Sequence, residues 1–268
     1  MIDPLSPYRP DALAGHVAIV TGGATGIGRA IARGFARLGA DVCIASRKPE
    51  ALAEAAATLG AETGRAILAV PADVRNPDDA ARVVAATVAR FGALDTLINN
   101  AAGNFLAPAA TLSPNGFGTV VDIDLKGTFH MCRAAFAALS ASGRGAIMNI
   151  SATLHYHGTP LQLHASAAKA GVDALTRNLA VEWGGAGIRV NGIAPGPIAD
   201  TEGMRRLAPG DAATRAKAGI PLGRFGAADE IAAAAVFLRS AAAAYVTGTV
   251  LVVDGGHCQN QPMMLMQS

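Results

Sequence analysis

A chain of 268 residues, 51% hydrophobic and only 16% charged, carries enough apolar material for a large core and too little charge for disorder. Its formal net charge of +2 comes from scattered basic residues, which excludes a surface built for nucleic acid or anionic membrane. Cys43, Cys132 and Cys258 lie far apart, so they read as small apolar residues of a reducing compartment, with neither a metal site nor a disulfide framework.

Residues 1–14 read as an N-terminal tail whose prolines and charges fit neither a signal peptide nor a membrane anchor. No apolar run is long enough to span a bilayer, so a soluble, intracellular protein without a membrane partner is expected. Short apolar or β-branched runs then predict strands over 16–22, 41–46, 66–73, 96–101, 145–151, 188–196 and 250–256. Ala-rich segments of helical spacing between them predict helices near 27–38, 50–59, 77–91, 114–140, 163–183 and 228–239. Such alternation means a doubly wound α/β fold, a parallel sheet covered on both faces. Nothing divides the chain, so a single domain over 1–268 is expected. The irregular stretch 197–222 suits a lid over the carboxyl ends of the strands, and 258–268 a C-terminal tail.

The first strand runs into Thr21-Gly22-Gly23-Ala24-Thr25-Gly26-Ile27-Gly28, with a helix directly after it. Gly22, Gly26 and Gly28 permit a tight turn and close backbone approach to a pyrophosphate, which the helix N-terminus attracts. The placement between strand and helix is the context that marks a dinucleotide site, with Gly23, Thr25 and Ile27 as its remaining lining. The second strand ends in Ser46-Arg47-Lys48, where NAD-selective folds place an acid for the ribose hydroxyl. Arg47 would instead fork onto a 2′-phosphate, which favours NADP(H); the alternative is that Arg47 and Lys48 are solvated residues opening a helix. Asp73-Val74 closes the third strand, offering a carboxylate to the adenine amino group or serving as a turn acid. Asn100, Ala101 and Ala102, after the fourth strand, form a small-residue turn that lets backbone lie against the ribose.

Together with Lys169 and Pro195-Gly196-Pro197-Ile198, these elements resemble the short-chain dehydrogenase/reductase family from about residue 15 to 257. The resemblance implies a Rossmann fold, a homotetramer, and cofactor contacts from Lys169 and from Pro195 to Ile198. That family usually works with an Asn, a Ser, and a Tyr placed four residues before a Lys. Here Lys169 is present, but those other positions hold Asp124, Ala152 and Ala165. A methyl group cannot donate a proton, which argues against ordinary alcohol/ketone chemistry.

The departures resemble one branch, the peroxisomal type of 2,4-dienoyl-CoA reductase. They lie in 101–106, Asp122-Ile123-Asp124, His164-Ala165-Ser166-Ala167-Ala168-Lys169 and the stretch 196–207. The mitochondrial type uses a Tyr further upstream, where this chain has Leu154. The resemblance implies NADPH-dependent reduction of a 2,4-dienoyl-CoA to a trans-3-enoyl-CoA, with Asp124 and Lys169 holding a protonating water. It also implies acyl-CoA contacts from Arg75, Phe105, Ser113-Pro114-Asn115 and Arg206, with Arg205 as a substitute. His155, Tyr156, His157 and His164 read as loop surface or pocket wall. The final residues, Met263 to Ser268, lack a Ser-Lys-Leu type of tail, so a cytoplasmic location is expected. Two other readings stay open: reduction of a 2-enoyl-CoA or another activated alkene, and a non-catalytic NADP(H)-binding protein.

Overall fold

Every expected apolar run forms a strand; the five inner ones bury both sets of alternating side chains under helices, while the edge strands Ile67–Pro71 and Val250–Val253 stay partly open. The computed structural model describes residues 3–199, 201 and 211–260. Its strands are β1 (Val17–Thr21), β2 (Asp41–Ser46), β3 (Ile67–Pro71), β4 (Thr96–Asn99), β5 (Gly145–Ile150), β6 (Ile188–Pro195) and β7 (Val250–Val253). They pair in parallel in the order β3-β2-β1-β4-β5-β6-β7. The order reverses between β1 and β4, and a crevice opens at such a switch point beyond the carboxyl ends of the strands.

The helices are α1 (Gly26–Arg37), α2 (Pro49–Thr63), α3 (Pro77–Phe91), α4 (Pro114–Val121), α5 (Gly127–Ala141), α6 (Leu163–Trp183), α7 (Asp211–Ala218) and α8 (Ala228–Arg239). Successive residues of one strand serve opposite faces. Ala18, Val20, Val42 and Ile44 pack with Phe35 of α1, Leu52 of α2 and Val236 of α8. Ile19, Cys43, Leu97 and Ile147 pack with Val83 of α3, Met131 of α5 and Leu179 of α6.

Three elements differ from expectation. α2 runs through Gly60 and stops only at Gly64, whose φ of +69° supplies a left-handed cap. The helix expected over 114–140 is interrupted by a π-helical segment, Asp122–Lys126, between α4 and α5. The N-terminal tail is tied down: Leu5 and Leu13 are buried in the core, and the Tyr8 hydroxyl donates to the Ala233 carbonyl at 3.5 Å.

The amino ends of the strands hold a separate charged network. Buried Asp95 accepts from the Val17 N–H at 2.8 Å and from Arg144 at 2.8 Å. His16 Nδ1 accepts from the Arg239 guanidinium. Burial first, then the Arg239 and Arg144 charges, pulls the His16 pKa from 6.5 to about 4. The unfolded chain therefore takes up a proton between those values that the fold refuses, so stability falls as pH drops through that window. The loss is at most roughly 3 kcal/mol, less for the part of the ring that meets solvent. His16→Gln, which can still accept from Arg239, is expected to melt with a flatter pH dependence between 6.5 and 4. Parallel melting curves for the two proteins across that range would refute this account.

Candidate active site

The turn from β1 to α1 is built around missing side chains. Gly22 and Gly26 have φ of +63° and +53°, which suit glycine. A Cβ on Gly28 would lie 2.4 Å from the Gly22 carbonyl oxygen and from Asn100 Nδ2, and one on Gly23 would lie 2.7 Å from Ile44. Asn100 donates its amide to the Thr21 and Gly22 carbonyls at 3.0 and 3.3 Å. The Thr21 hydroxyl accepts from the N–H groups of Asn100 and Ala101, both at 3.0 Å. Thr21 and Asn100, expected as cofactor contacts, thus knit β1 to β4 and shape the turn. No side chain caps α1 at Thr25, and no acid stands in the first turn of α1, so its leading N–H groups are left for an anion. This cradle, beside Gly26, Ile27 and Gly28, fits the pyrophosphate of the expected dinucleotide.

Beyond half-buried Ser46, Arg47 and Lys48 are exposed, and neither forms an ion pair among the described residues. An open hollow of about 290 Å³ lies beside them, lined by Arg47, Pro71, Ala72, Asp73 and Asp79. Asp73 and Arg75, expected to meet two different ligands, pair with each other. Arg75 Nη2 lies 2.5 Å and Nε 3.0 Å from the Asp73 carboxylate, which this pairing holds below the usual carboxylate range. Val74 packs against Gly127 at the start of α5. Ala101 is half-buried and Ala102 exposed. On the far side of the crevice, Gly196 approaches Asp254 so closely that a Cβ would lie 2.6 Å away. Pro195 ends β6, Pro197 follows Gly196, and buried Ile198 bridges to Gly226.

At the centre the structure brings Asp124 and Lys169 together. Asp124 sits in the π segment, 1% exposed, with Oδ1 accepting from the Gly103 N–H at 2.7 Å and Oδ2 3.2 Å from Lys169 Nζ. Lys169 also donates to the Ile150 carbonyl at 2.8 Å. An ammonium has three N–H bonds, so one is left beyond these two contacts. One turn before Lys169, Ala165 is buried among Val120, Ala168 and Leu125, a methyl group at the position of the usual phenol.

Asp173, one turn beyond Lys169, carries no expectation from the sequence. Only 2% exposed, it accepts from the Ser151 hydroxyl, from His155 Nε2 at 2.8 Å and from the Tyr156 hydroxyl at 3.1 Å. The one signal for it was an acid inside the apolar helix stretch Ala170-Gly171-Val172-Asp173-Ala174. Burial, then the Asp173 charge, pushes the Tyr156 phenol above its ordinary pKa of 10.0, which makes it a poorer acid. His155 is a partner of this carboxylate, and His157 is exposed. His164 is not loop surface: it has no exposure and stacks on Phe105 with ring centroids 4.3 Å apart.

Phe105 in turn covers the first turn of α4, its Cζ 3.2 Å from where a Gly116 Cβ would be. Ser113 caps that helix, its hydroxyl accepting from Gly116 N–H at 3.0 Å, with Pro114 as the first helical residue and the Asn115 carbonyl accepting from Thr119. The expected substrate contacts Phe105 and Ser113 to Asn115 therefore share one corner of the site. Arg206 and Arg205 lie outside the described residues. Among the described residues no group of three or more metal-binding side chains gathers, and no helix is long and apolar enough to cross a membrane.

The family model described as Enoyl-(Acyl carrier protein) reductase matches residues 22–257. The peroxisomal 2,4-dienoyl-CoA reductase [(3E)-enoyl-CoA-producing] of Arabidopsis thaliana is 49% identical, covering 97% of this chain and 90% of the relative. The protein of the same name from Danio rerio is 51% identical over 93% of this chain and 83% of its own. A solved short chain dehydrogenase from Bacillus anthracis superposes with a TM-score of 0.82 at 43% identity, covering 92% of this chain and 98% of that one. The cytoplasmic expectation is overturned by the names of these relatives, which match nearly the whole chain and are both called peroxisomal. Agreement of this breadth, with about half the residues identical, is not shared by unrelated proteins, and the chain belongs to the short-chain dehydrogenase/reductase family of oxidoreductases.

Proposed function

We propose that this chain reduces a trans-2,trans-4-dienoyl-CoA to a trans-3-enoyl-CoA with NADPH. The observation that carries the reading is the buried Asp124–Lys169 pair beside Ala165, an acid–base centre without a phenol. The names of the relatives agree with it. The cofactor supplies hydride to the far end of the diene, which leaves a dienolate with its charge on the thioester oxygen. The α-carbon then takes a proton, for which a well-placed water suffices. Lys169 orients that water with its remaining N–H and Asp124 with its carboxylate lone pairs. The Lys169 charge stabilises the hydroxide left behind until solvent returns its proton. In this reading Lys169 shares that same N–H with the nicotinamide ribose hydroxyls. Phe105 and the capped start of α4 line the acyl-CoA side.

Arg47 supports NADPH over NADH. Its unpaired guanidinium stands over the hollow beside Asp73, where a ribose 2′-phosphate would accept a charge-assisted fork. The test is oxidation of NADPH and of NADH with 2,4-hexadienoyl-CoA, trans-2-hexenoyl-CoA and a simple ketone. Fast turnover is expected only with NADPH and the dienoyl ester. Arg47→Ala is expected to raise the KM for NADPH about ten- to hundredfold and to leave the NADH value nearly unchanged. Preference for the hexenoyl ester would shift the substrate to other activated alkenes. Inactivity with every substrate would leave a dinucleotide-binding protein, and equal use of both cofactors would remove Arg47 from the argument.

A further inference from the structure

Charge gathers on the thioester oxygen during this reduction, and neither residue of the central pair is free to receive it. Asp124 accepts hydrogen bonds, and the spare N–H of Lys169 is spent on water. His164, next to Ala165 on α6, has the opposite character. It has no exposure, yet neither Nδ1 nor Nε2 has a hydrogen-bond partner among the described residues. An imidazole carries at least one N–H in each of its forms, and a buried donor is costly to leave unpaired.

The surroundings of this ring are built rather than slack. Phe105 lies over it with ring centroids 4.3 Å apart and is itself 38% exposed, so the stack runs from the surface to the buried ring. Two ties join the Phe105 loop to the residues that lead into α6. The Asn104 amide donates to Gln162 Oε1 at 2.6 Å, and the Ala107 N–H donates to the Leu161 carbonyl at 2.9 Å. Leu161 has a φ of +66°, a conformation that leucine rarely adopts and that persists only where surrounding contacts impose it. The Phe105 loop starts at Gly103, whose N–H is held by Asp124. One short segment thus connects the acid–base centre to the unpaired histidine.

We propose that His164 is a catalytic residue: its ring N–H donates to the thioester carbonyl oxygen of the acyl-CoA and holds the negative charge that forms there. The proposal rests on the function proposed above. The ring keeps its proton throughout, so no further reactant is involved. A donor fixed in a dry site before reaction strengthens its bond as the oxygen gains charge, without reorganisation.

His164→Phe retains the aromatic stack on Phe105 and removes the donor, whereas His164→Gln retains an N–H donor. With hexadienoyl-CoA and NADPH, His164→Phe is expected to lose a factor on the order of 10²–10³ in kcat, and His164→Gln to recover part of it. By calorimetry, the wild-type chain should prefer hexanoyl-CoA over free CoA, and His164→Phe should lose most of that preference. Melting should be unchanged or raised in His164→Phe, because an unpaired buried polar group is gone. If that variant melts early instead, His164→Leu takes its place in the same comparison. A kcat within threefold of wild type together with an unchanged ester preference would overturn the proposal and leave a buried water as the ring's only partner. Failure of the wild-type chain to reduce hexadienoyl-CoA would fall on the proposed function instead, and the ester-against-CoA titration would still decide whether His164 meets the thioester.

Discussion

Asp124→Ala and Lys169→Ala are each expected to lower kcat with hexadienoyl-CoA by a factor on the order of 10²–10⁴, the usual worth of a positioned proton donor. Each change removes one half of the pair whose nitrogen and oxygen lie 3.2 Å apart, and with it one side of the water's seat. Both positions are buried, so the lone partner carries an uncompensated charge, and stability is expected to drop by about 3–5 kcal/mol. Activity is therefore to be measured below the melting range of each variant. Asp124→Asn keeps an acceptor for the Gly103 N–H and still orients water without the charge, so an intermediate loss is expected. Tyr156→Phe is the comparison that decides. Its hydroxyl is bound to Asp173 and its phenol is a weakened acid, so kcat should change less than threefold. An inactive Tyr156→Phe enzyme beside an active Asp124→Ala enzyme would place the proton on the phenol and end the water mechanism.

Gly28→Ala is expected to abolish dinucleotide binding, with affinity for NADPH lowered more than hundredfold. The added methyl would stand 2.4 Å from the Gly22 carbonyl oxygen, and backbone cannot swing aside as a long side chain can. Either the turn opens or α1 shifts, and both carry the cradle away from a pyrophosphate. Overpacking of this kind costs about 1–3 kcal/mol or more of stability as well. Gly118→Ala is the control: a Cβ there meets nothing within 4 Å, and the helical site should gain a few tenths to about 1 kcal/mol. Fluorescence titration with NADPH and thermal melting read both effects. Binding within threefold of wild type in Gly28→Ala would mean that the turn does not hold the cofactor.

The strands were legible because they are short and apolar, and the inner five are buried on both faces, a pattern that local sequence carries unaided. The glycine turn was legible for a similar reason, since its demand on the backbone is local. What the sequence hid depends on contacts between distant segments. A π segment leaves no residue signature, and Asp122-Ile123-Asp124-Leu125-Lys126 has the composition of an ordinary helix turn. The tail around Leu5 gains its order from α1, which follows some twenty residues later. Asp73 and Arg75 each offered a plausible ligand contact, and only the fold reveals their mutual ion pair. The stack of His164 on Phe105 joins two segments that the chain reaches from different strands.

The π segment also sets which lengths of chain the family plan tolerates here. A helix turns about 100° per residue, and a π turn absorbs one residue more than an α turn without breaking the axis. Deleting a single residue from Asp122–Lys126 would let α4 and α5 fuse into one regular helix, a locally favourable repair. Because the π turn takes up the extra residue, that repair would keep the faces of α4 and α5 in phase, whereas a further deletion would turn α4 by about 100° against α5 and carry the Ser113 cap away from Phe105. The segment is a register mark: it takes up one residue of helix length and leaves the faces of α4 and α5 aligned.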